Sequence, residues 1–402
     1  MTVSFLQVVL ALAASVALII ILTTKYRVHA FFALFIACFV VGFGAQIPVA
    51  NIITAIKDGF GNIMRSLGLI IVVGTTLGIL LEHTGSTRVM ADFILKKTGD
   101  RHASLAMSIT GFIVGLPIFC DSGYIVLSGL NQSLAKRTGI SIVVMSVSLA
   151  TGLYSVHCLL PPHPGAAAAA ANIGVDFGKL ILIGIIVAIP AMLVGHWWAS
   201  FAVGRLPGIA TDQKEELKPA LSKPSVINAF LPVLLPIVLI AMNSFFAINK
   251  NTETALLKIL NVLGEPVIAL SIGVLLAFNT NAGWKKATVS KLLTEAAEKA
   301  GAILVIIGAG GAFGAVLAAT SLGQYFEGSL SLSSLGILFP FLLTFILKTA
   351  QGSSTVAIIT ASSIVLPLLP ALGLDTETGR LLCVLAMGAG SMMISHANDA
   401  YF

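Results

Sequence analysis

The stretch Lys348-Thr349-Ala350-Gln351-Gly352-Ser353-Ser354-Thr355 separates two apolar runs, Leu335–Leu347 and Val356–Leu369. Crossing a bilayer takes about 20 residues, and neither run is that long. A charged, Gly/Ser/Thr-rich break between two half-length apolar segments predicts a re-entrant hairpin. Its tip is expected inside the membrane, where irregular backbone is tolerated only against protein or a water-filled cavity. The stretch reads as half of a substrate site, with Lys348, Gln351, Gly352, Ser353, Ser354 and Thr355 as candidate binding residues.

The composition around it fits that reading. Of 402 residues, 57% are hydrophobic and only 10% charged, whereas a soluble domain is about a quarter charged. The mean hydropathy is +1.00. This predicts an all-α polytopic protein embedded in a lipid bilayer and leaves no room for a large soluble domain. The net charge of +6 belongs to loop lysines and arginines, so no nucleic-acid partner is expected. Cys38, Cys120, Cys158 and Cys383 lie in apolar stretches without metal-ligand spacing. They read as small core residues, with no disulfide and no metal. Met1–Leu22 lacks a basic leader and a small-residue cleavage site, so it reads as a retained helix.

Apolar spans are predicted at 3–22, 28–45, 67–84, 140–160, 179–203, 226–247, 263–279, 297–320 and 378–396. Two interrupted regions, 104–135 and 333–371, read as hairpins. Asn51–Arg65 is more polar and is expected to lie at a membrane interface. The hydrophilic linker 204–224, with Pro207, Lys214, Glu215, Glu216, Lys218 and Pro219, divides the chain into halves 1–203 and 225–402. Most of the 23 basic residues fall in five groups around Lys25, Arg88–Arg101, Lys136, Arg205–Lys223 and Lys285–Lys299. One threading puts all five on the cytoplasmic side. The first hairpin then opens from the cytoplasm and the second from outside.

The halves resemble each other. Gly68–Gly74 echoes Gly301–Gly308, and each is followed by a GxxxG pair, Gly74/Gly78 and Gly310/Gly314, suited to close helix approach. A hairpin follows in each, then a helix broken at a histidine motif: about 140–165, with Ser155-Val156-His157, and about 378–399, with Ser395-His396. In the threading the copies run in opposite senses. Two inverted repeats, each with a hairpin and a broken helix, are the signature of a secondary transporter. Span 179–203 has no mate before Phe402, so the second repeat is expected to be truncated by about one helix.

The first hairpin breaks at Gly115-Leu-Pro117-Ile-Phe-Cys-Asp121-Ser122-Gly123. Asp121, Ser122 and Gly123 are candidate substrate-binding residues. An ionisable group within a membrane costs about 2.5–3.5 kcal/mol on the lenient scale, so it needs a partner or a task. Lys348 is expected to draw in an anion, whose oxygens the tip amides and hydroxyls would hold. Asp121 would relay protons or bind sugar hydroxyls. Alternatively the two form a structural ion pair, or Lys348 snorkels to the surface. His157-Cys-Leu-Leu-Pro161-Pro162-His163-Pro164-Gly165 cannot continue a helix. Its counterpart is His396-Ala-Asn398-Asp399. Asn398 is a further binding candidate; Asp121, His157, His396 and Asp399 are proton-coupling candidates. His163 is expected nearer the outer surface. Gly308-Ala-Gly310-Gly311 follows no strand and reads as helix packing, as does the alanine run Ala166–Ala171.

The stretches His157–Gly165, Ala350-Gln-Gly-Ser-Ser-Thr-Val-Ala357 and Ser395-His-Ala-Asn-Asp399 together resemble the gluconate permease (GntP) family of proton symporters, over nearly the whole chain. The resemblance implies proton-coupled uptake of gluconate or a related sugar acid across a bacterial inner membrane. It also implies an ion-transporter-superfamily architecture, with a dimerising scaffold and a moving transport part, and no cofactor. Phe119-Cys-Asp-Ser-Gly123 departs from the aromatic-rich, glutamate-containing stretch of gluconate-type members. Glycerate, hydroxybutyrate and D-serine therefore stand as alternative substrates. A membrane-embedded metalloenzyme using His157, His163 and His396 is a second class, disfavoured because no acidic ligand cluster accompanies them. A passive channel is a third, disfavoured by hairpins that close the midplane from both sides.

Overall fold

The structure, a computed structural model, describes residues 4–201, 224–246, 255–280, 283–320 and 334–394. Residues 204–223 of the linker and Ser395–Asp399 lie outside the described residues. The described residues are helical, with no strand among them. In order they form α1 (Phe5–Thr24), α2 (Ala30–Gly44), α3 (Val49–His83), α4 (Ser86–Thr98), α5 (Ala103–Gly115), α6 (Cys120–Thr138), α7 (Ile142–Leu159) and α8 (Pro164–Ile173). There follow α9 (Phe177–Phe201), α10 (Val226–Phe246), α11 (Ala255–Leu263), α12 (Pro266–Phe278), α13 (Lys286–Ala319), α14 (Leu338–Gln351), α15 (Ser354–Val365) and α16 (Glu377–Ser391).

Among the described residues, six segments are long and apolar enough to cross a membrane: α1, α3, the α7–α8 pair, α9, α10 and α13. Predicted spans 28–45, 263–279 and 378–396 are shorter helices than expected. At 1.5 Å per residue, α2 and α16 are about 22 Å long and α12 about 20 Å. Turn chemistry cuts them: Pro48 follows α2, and Gly264 precedes the Glu265 cap of α12.

Asn51–Arg65, expected at a membrane interface, is continuous with the apolar segment that follows it. It is the first half of α3, one uninterrupted 35-residue helix of about 52 Å. No proline breaks it, and its apolar positions continue in helical register through Ile52, Ile63, Leu67 and Ile70. Its neighbour α13 has 34 residues. The two run together because glycines remove side chains at the contact. A methyl group on Gly59 would come within 2.4 Å of the Gly311 carbonyl oxygen, and one on Gly308 within 2.5 Å of the Phe60 ring.

The GxxxG pairs carry the rest of the molecule on these two helices. A methyl on Gly74 would meet Pro162 at 3.4 Å, and one on Gly78 the Pro117 carbonyl oxygen at 2.8 Å. On α13, Gly310 faces Ile359 and Gly314 faces Ser363, whose hydroxyl donates to the Gly310 carbonyl at 2.7 Å. The glycine-rich run 308–311 is therefore packing, and Ala166–Ala170 are almost wholly buried in the same interior.

Ion pairs mark two ends of the bundle. Arg137, at the end of α6, pairs with Asp100, just before α5, so the first hairpin starts and finishes at one end. At another end Arg380 donates to the carbonyl of Ile173, the last residue of α8, at 2.9 Å, and Lys179 pairs with Glu377.

Candidate functional site

Leu160–His163 breaks one apolar segment into α7 and α8. Pro161, Pro162 and Pro164 carry no amide hydrogen, so the helical ladder cannot pass through them. The Pro161–Pro162 bond is cis. Pro164 then opens α8 at the first helical position, where its missing donor costs nothing. Gly174, at φ +77°, ends α8, a backbone that favours glycine.

The first hairpin turns at Leu116–Phe119 between α5 and α6. It lies tight on α7: a methyl on Gly152 would fall 2.0 Å from the Ser108 carbonyl oxygen, and one on Gly111 2.4 Å from that of Leu149. The second hairpin turns at Gly352–Ser353. Gly352 takes φ +80° to end α14, and the Ser353 hydroxyl accepts from the Val356 amide at 3.4 Å as the cap of α15.

Both turns meet on the α7–α8 joint. His163 Nε2 lies 2.6 Å from the Gly115 carbonyl oxygen. A carbonyl only accepts, so Nε2 carries the hydrogen. His163 is 2% exposed, with Phe119 and His157 against its ring at centroid distances of 6.3 and 5.0 Å. The expectation that it sits near the outer surface is thus corrected. It satisfies one of the orphan carbonyls at the end of α5. On the other side, a methyl on Gly165 would reach within 3.4 Å of Thr355 Cα, so α8 and α15 begin side by side. Their positive dipole ends therefore lie together. Helix α16 also docks here. Gly388 packs on the Cys158 carbonyl, and Tyr154 Oη donates to the Ser391 carbonyl at 3.2 Å.

Lys348 is completely buried, and its Nζ donates to the Gly352 carbonyl at 2.7 Å. It does not snorkel. A cation at a helix C-terminus is favoured by the dipole, and a hydrogen bond to a charged group stabilises by about 1.5–3 kcal/mol. These offset much of the cost of its burial. Gln351 and Ser354 are buried beside it, while Ser353 and Thr355 are half-buried. Asp121 is exposed in the first turn of α6, with Ser122 half-buried and Gly123 packed on Leu153. It makes no ion pair among the described residues, so the Asp121–Lys348 pair does not form. Asp121 instead lies in electrostatic range of Glu82 at the end of α3. His157 is buried and stacks on Tyr154, 6.2 Å between centroids. His396, Asn398 and Asp399 lie outside the described residues.

The structure thus brings together His157, His163 and the second hairpin turn, and it sets Asp121 on an exposed face of the first. A small cavity beside the joint, lined by Leu116, Pro117, Pro161, Pro162 and Leu270, is almost wholly apolar, so it offers nothing to a carboxylate. Sequence reasoning misplaced His163 because its partner is 48 residues away. The only local hint was a histidine locked between prolines.

The signature of the GntP family permeases matches residues 6–402. A gluconate permease of Pseudomonas aeruginosa is 34% identical over 393 residues, covering 96% of this chain and 87% of its own length. A D-serine transporter of Escherichia coli O6:H1 is 32% identical over 407 residues, covering 99% and 91%. Among solved structures, MtrF of Neisseria gonorrhoeae, from a class of antimetabolite efflux pumps, has a TM-score of 0.55 and 17% identity over 86% of this chain and 76% of that one, a likeness of fold. The chain belongs to the GntP permease family: it is a multi-pass membrane transporter, not an enzyme.

Proposed function

We propose that this GntP-family permease takes up gluconate or a related sugar acid or hydroxy-carboxylate by proton-coupled alternating access across a bacterial inner membrane. The observation that carries the reading is the meeting of both hairpin turns on one broken-helix joint, through His163–Gly115 and Gly165–Thr355. A ligand held between such turns is bound by parts that must separate to release it, which suits alternating access better than an open pore. The relatives named for gluconate and D-serine support a small carboxylate as the class.

In this reading the amides and hydroxyls of Gly352, Ser353, Ser354 and Thr355 hold carboxylate oxygens, and Lys348 supplies the charge while bracing the turn. Gln351, Asn398 and the Asp121–Gly123 turn complete the binding set. His157, His396, Asp399 and Asp121 are the groups proposed to carry protons. The halves act as inverted repeats, the protein works as a homodimer, and the proton gradient replaces any cofactor. Each net charge moved through ~150 mV, as when two protons accompany a monoanion, supplies roughly 3.5 kcal/mol, enough for about 300-fold accumulation.

A second reading, a small amino acid such as D-serine, is favoured by the D-serine transporter's nearly equal identity. The test is uptake of labelled gluconate, glycerate, hydroxybutyrate and D-serine into proteoliposomes with an acid-outside gradient. Saturable, gradient-driven uptake of a sugar acid is expected. Uptake confined to D-serine would replace the substrate, and linear flux without accumulation would remove the transporter mechanism.

A further inference from the structure

A cavity of about 180 Å³ lies between the α3–α13 pair and the far ends of α8 and α15. It is distinct from the hairpin turns. Asn172 is eight residues beyond Pro164, and Leu366 is twelve beyond Ser354, so the cavity sits about 12–18 Å along those helices from the joint. It is smaller than the ~300–1,000 Å³ pockets of drug-sized ligands and on the scale of a small metabolite.

Its wall mixes backbone, small side chains and open polar groups. Gly59, Gly311 and Gly314 contribute backbone to the wall where α3, α13 and α15 touch, while Asn62, Ser66 and Asn172 supply polar atoms. The Asn172 amide donates to the Ser362 hydroxyl at 2.9 Å, which fixes it at the wall and leaves its carbonyl as an acceptor. The side chains of Asn62 and Ser66 are exposed and make no hydrogen bond to another described residue. Both lie near the middle of α3, a 35-residue helix that contains a segment apolar enough to cross a bilayer. Polar groups at such positions face protein or water. Asp58 and Arg65, also exposed, flank them on the same helix.

We infer that this cavity is a second binding site, which holds the hydroxyl chain of a polyhydroxylated carboxylate before it reaches the hairpin turns. The inference rests on the sugar-acid reading above and deepens it. The polar side chains among the lining residues, Asn62, Ser66 and Asn172, are neutral donors and acceptors, set among glycine, alanine, Ile63 and Leu366 with no cation, so they match hydroxyls on a carbon chain and leave the carboxylate outside. The site therefore favours long polyols over short acids. A six-carbon chain presents enough hydroxyls to engage Asn62, Ser66 and Asn172 together; a three-carbon acid does not.

The experiment pairs transport kinetics with thiol labelling in the full chain. Asn62→Leu and Ser66→Val are expected to raise the apparent KM for gluconate about fivefold for each hydrogen bond lost, with kcat and the KM for glycerate unchanged. Ser66→Cys, nearly isosteric, keeps the test usable if the leucine variant fails to fold. Its labelling by a membrane-impermeant thiol reagent is expected to slow when gluconate is added, and not when glycerate is added. The native cysteines are buried and give the unmodified chain as a blank. Wild-type gluconate uptake with unprotected or unlabelled Ser66→Cys overturns the second site alone. Equal KM increases for gluconate and glycerate also overturn it. A wild-type chain that takes up no sugar acid overturns the functional reading, and this inference with it.

Discussion

His163 donates from Nε2 to the carbonyl oxygen of Gly115 across 2.6 Å, fastening the joint of one broken helix to the turn of the first hairpin. The two residues are 48 positions apart, and the bond is buried. A carbonyl left unsatisfied in that setting costs about 1–3 kcal/mol. His163→Ala is expected to lower melting temperature in detergent and to slow transport. His163→Gln, which restores a donor, should recover much of both. Equal loss in the two variants would show that the ring's packing, not its hydrogen bond, is what matters.

Close approach of α5 and α7 rests on Gly152, where a methyl would fall 2.0 Å from the Ser108 carbonyl oxygen. Backbone cannot swing aside as a side chain can, so Gly152→Ala should destabilise by about 3 kcal/mol or more, the upper end of overpacking. Gly61→Ala, inside α3 with nothing within 4 Å of the added methyl, is the contrasting control and should stabilise by up to about 1 kcal/mol. Size-exclusion profiles and thermal melts of both variants check this.

Lys348 both braces its turn and, in the proposed function, attracts the carboxylate. Lys348→Gln removes the charge while keeping a donor for Gly352. An apparent KM at least about tenfold higher, equivalent to about 1.4 kcal/mol, with unchanged melting is the expected result. Unchanged KM would assign Lys348 to bracing alone.

Proton coupling predicts faster uptake as external pH falls from about 8 to 6. Carboxylates titrate near pH 4, so the substrate stays anionic throughout and its own protonation cannot produce the effect. One proton with a monoanion moves no net charge, and uptake should then ignore membrane potential; two protons would make it voltage-sensitive. If His157 carries the coupled proton, as proposed, His157→Gln should abolish accumulation while leaving substrate exchange intact. Loss of exchange as well would place His157 in binding.

Much of the architecture was legible before any coordinates. The membrane class follows from composition. The breaks at 116–119, 160–163 and 352–353 were readable because Pro and Gly change the backbone locally, whatever surrounds them. Close packing at Gly74/Gly78 and Gly310/Gly314 was equally visible in their spacing. Less legible was Asn51–Arg65. Its polarity suggested an interface, but the stretch is part of a continuous helix on which Asn62 and the following Ser66 line a cavity formed with distant segments.

The sequence by itself determined where helices stop, since capping and proline chemistry act within a few residues. It also determined that the chain is membrane-embedded, since charge depletion and apolar length are sums along the chain. Only the tertiary structure decided which breaks meet: Gly115 on His163, Thr355 against Gly165, and Asn62 and Ser66 across a cavity from Asn172. Partner choice at these points depends on how helices cross and on which glycines let backbones touch. That is a property of packing between remote segments, which no local pattern records.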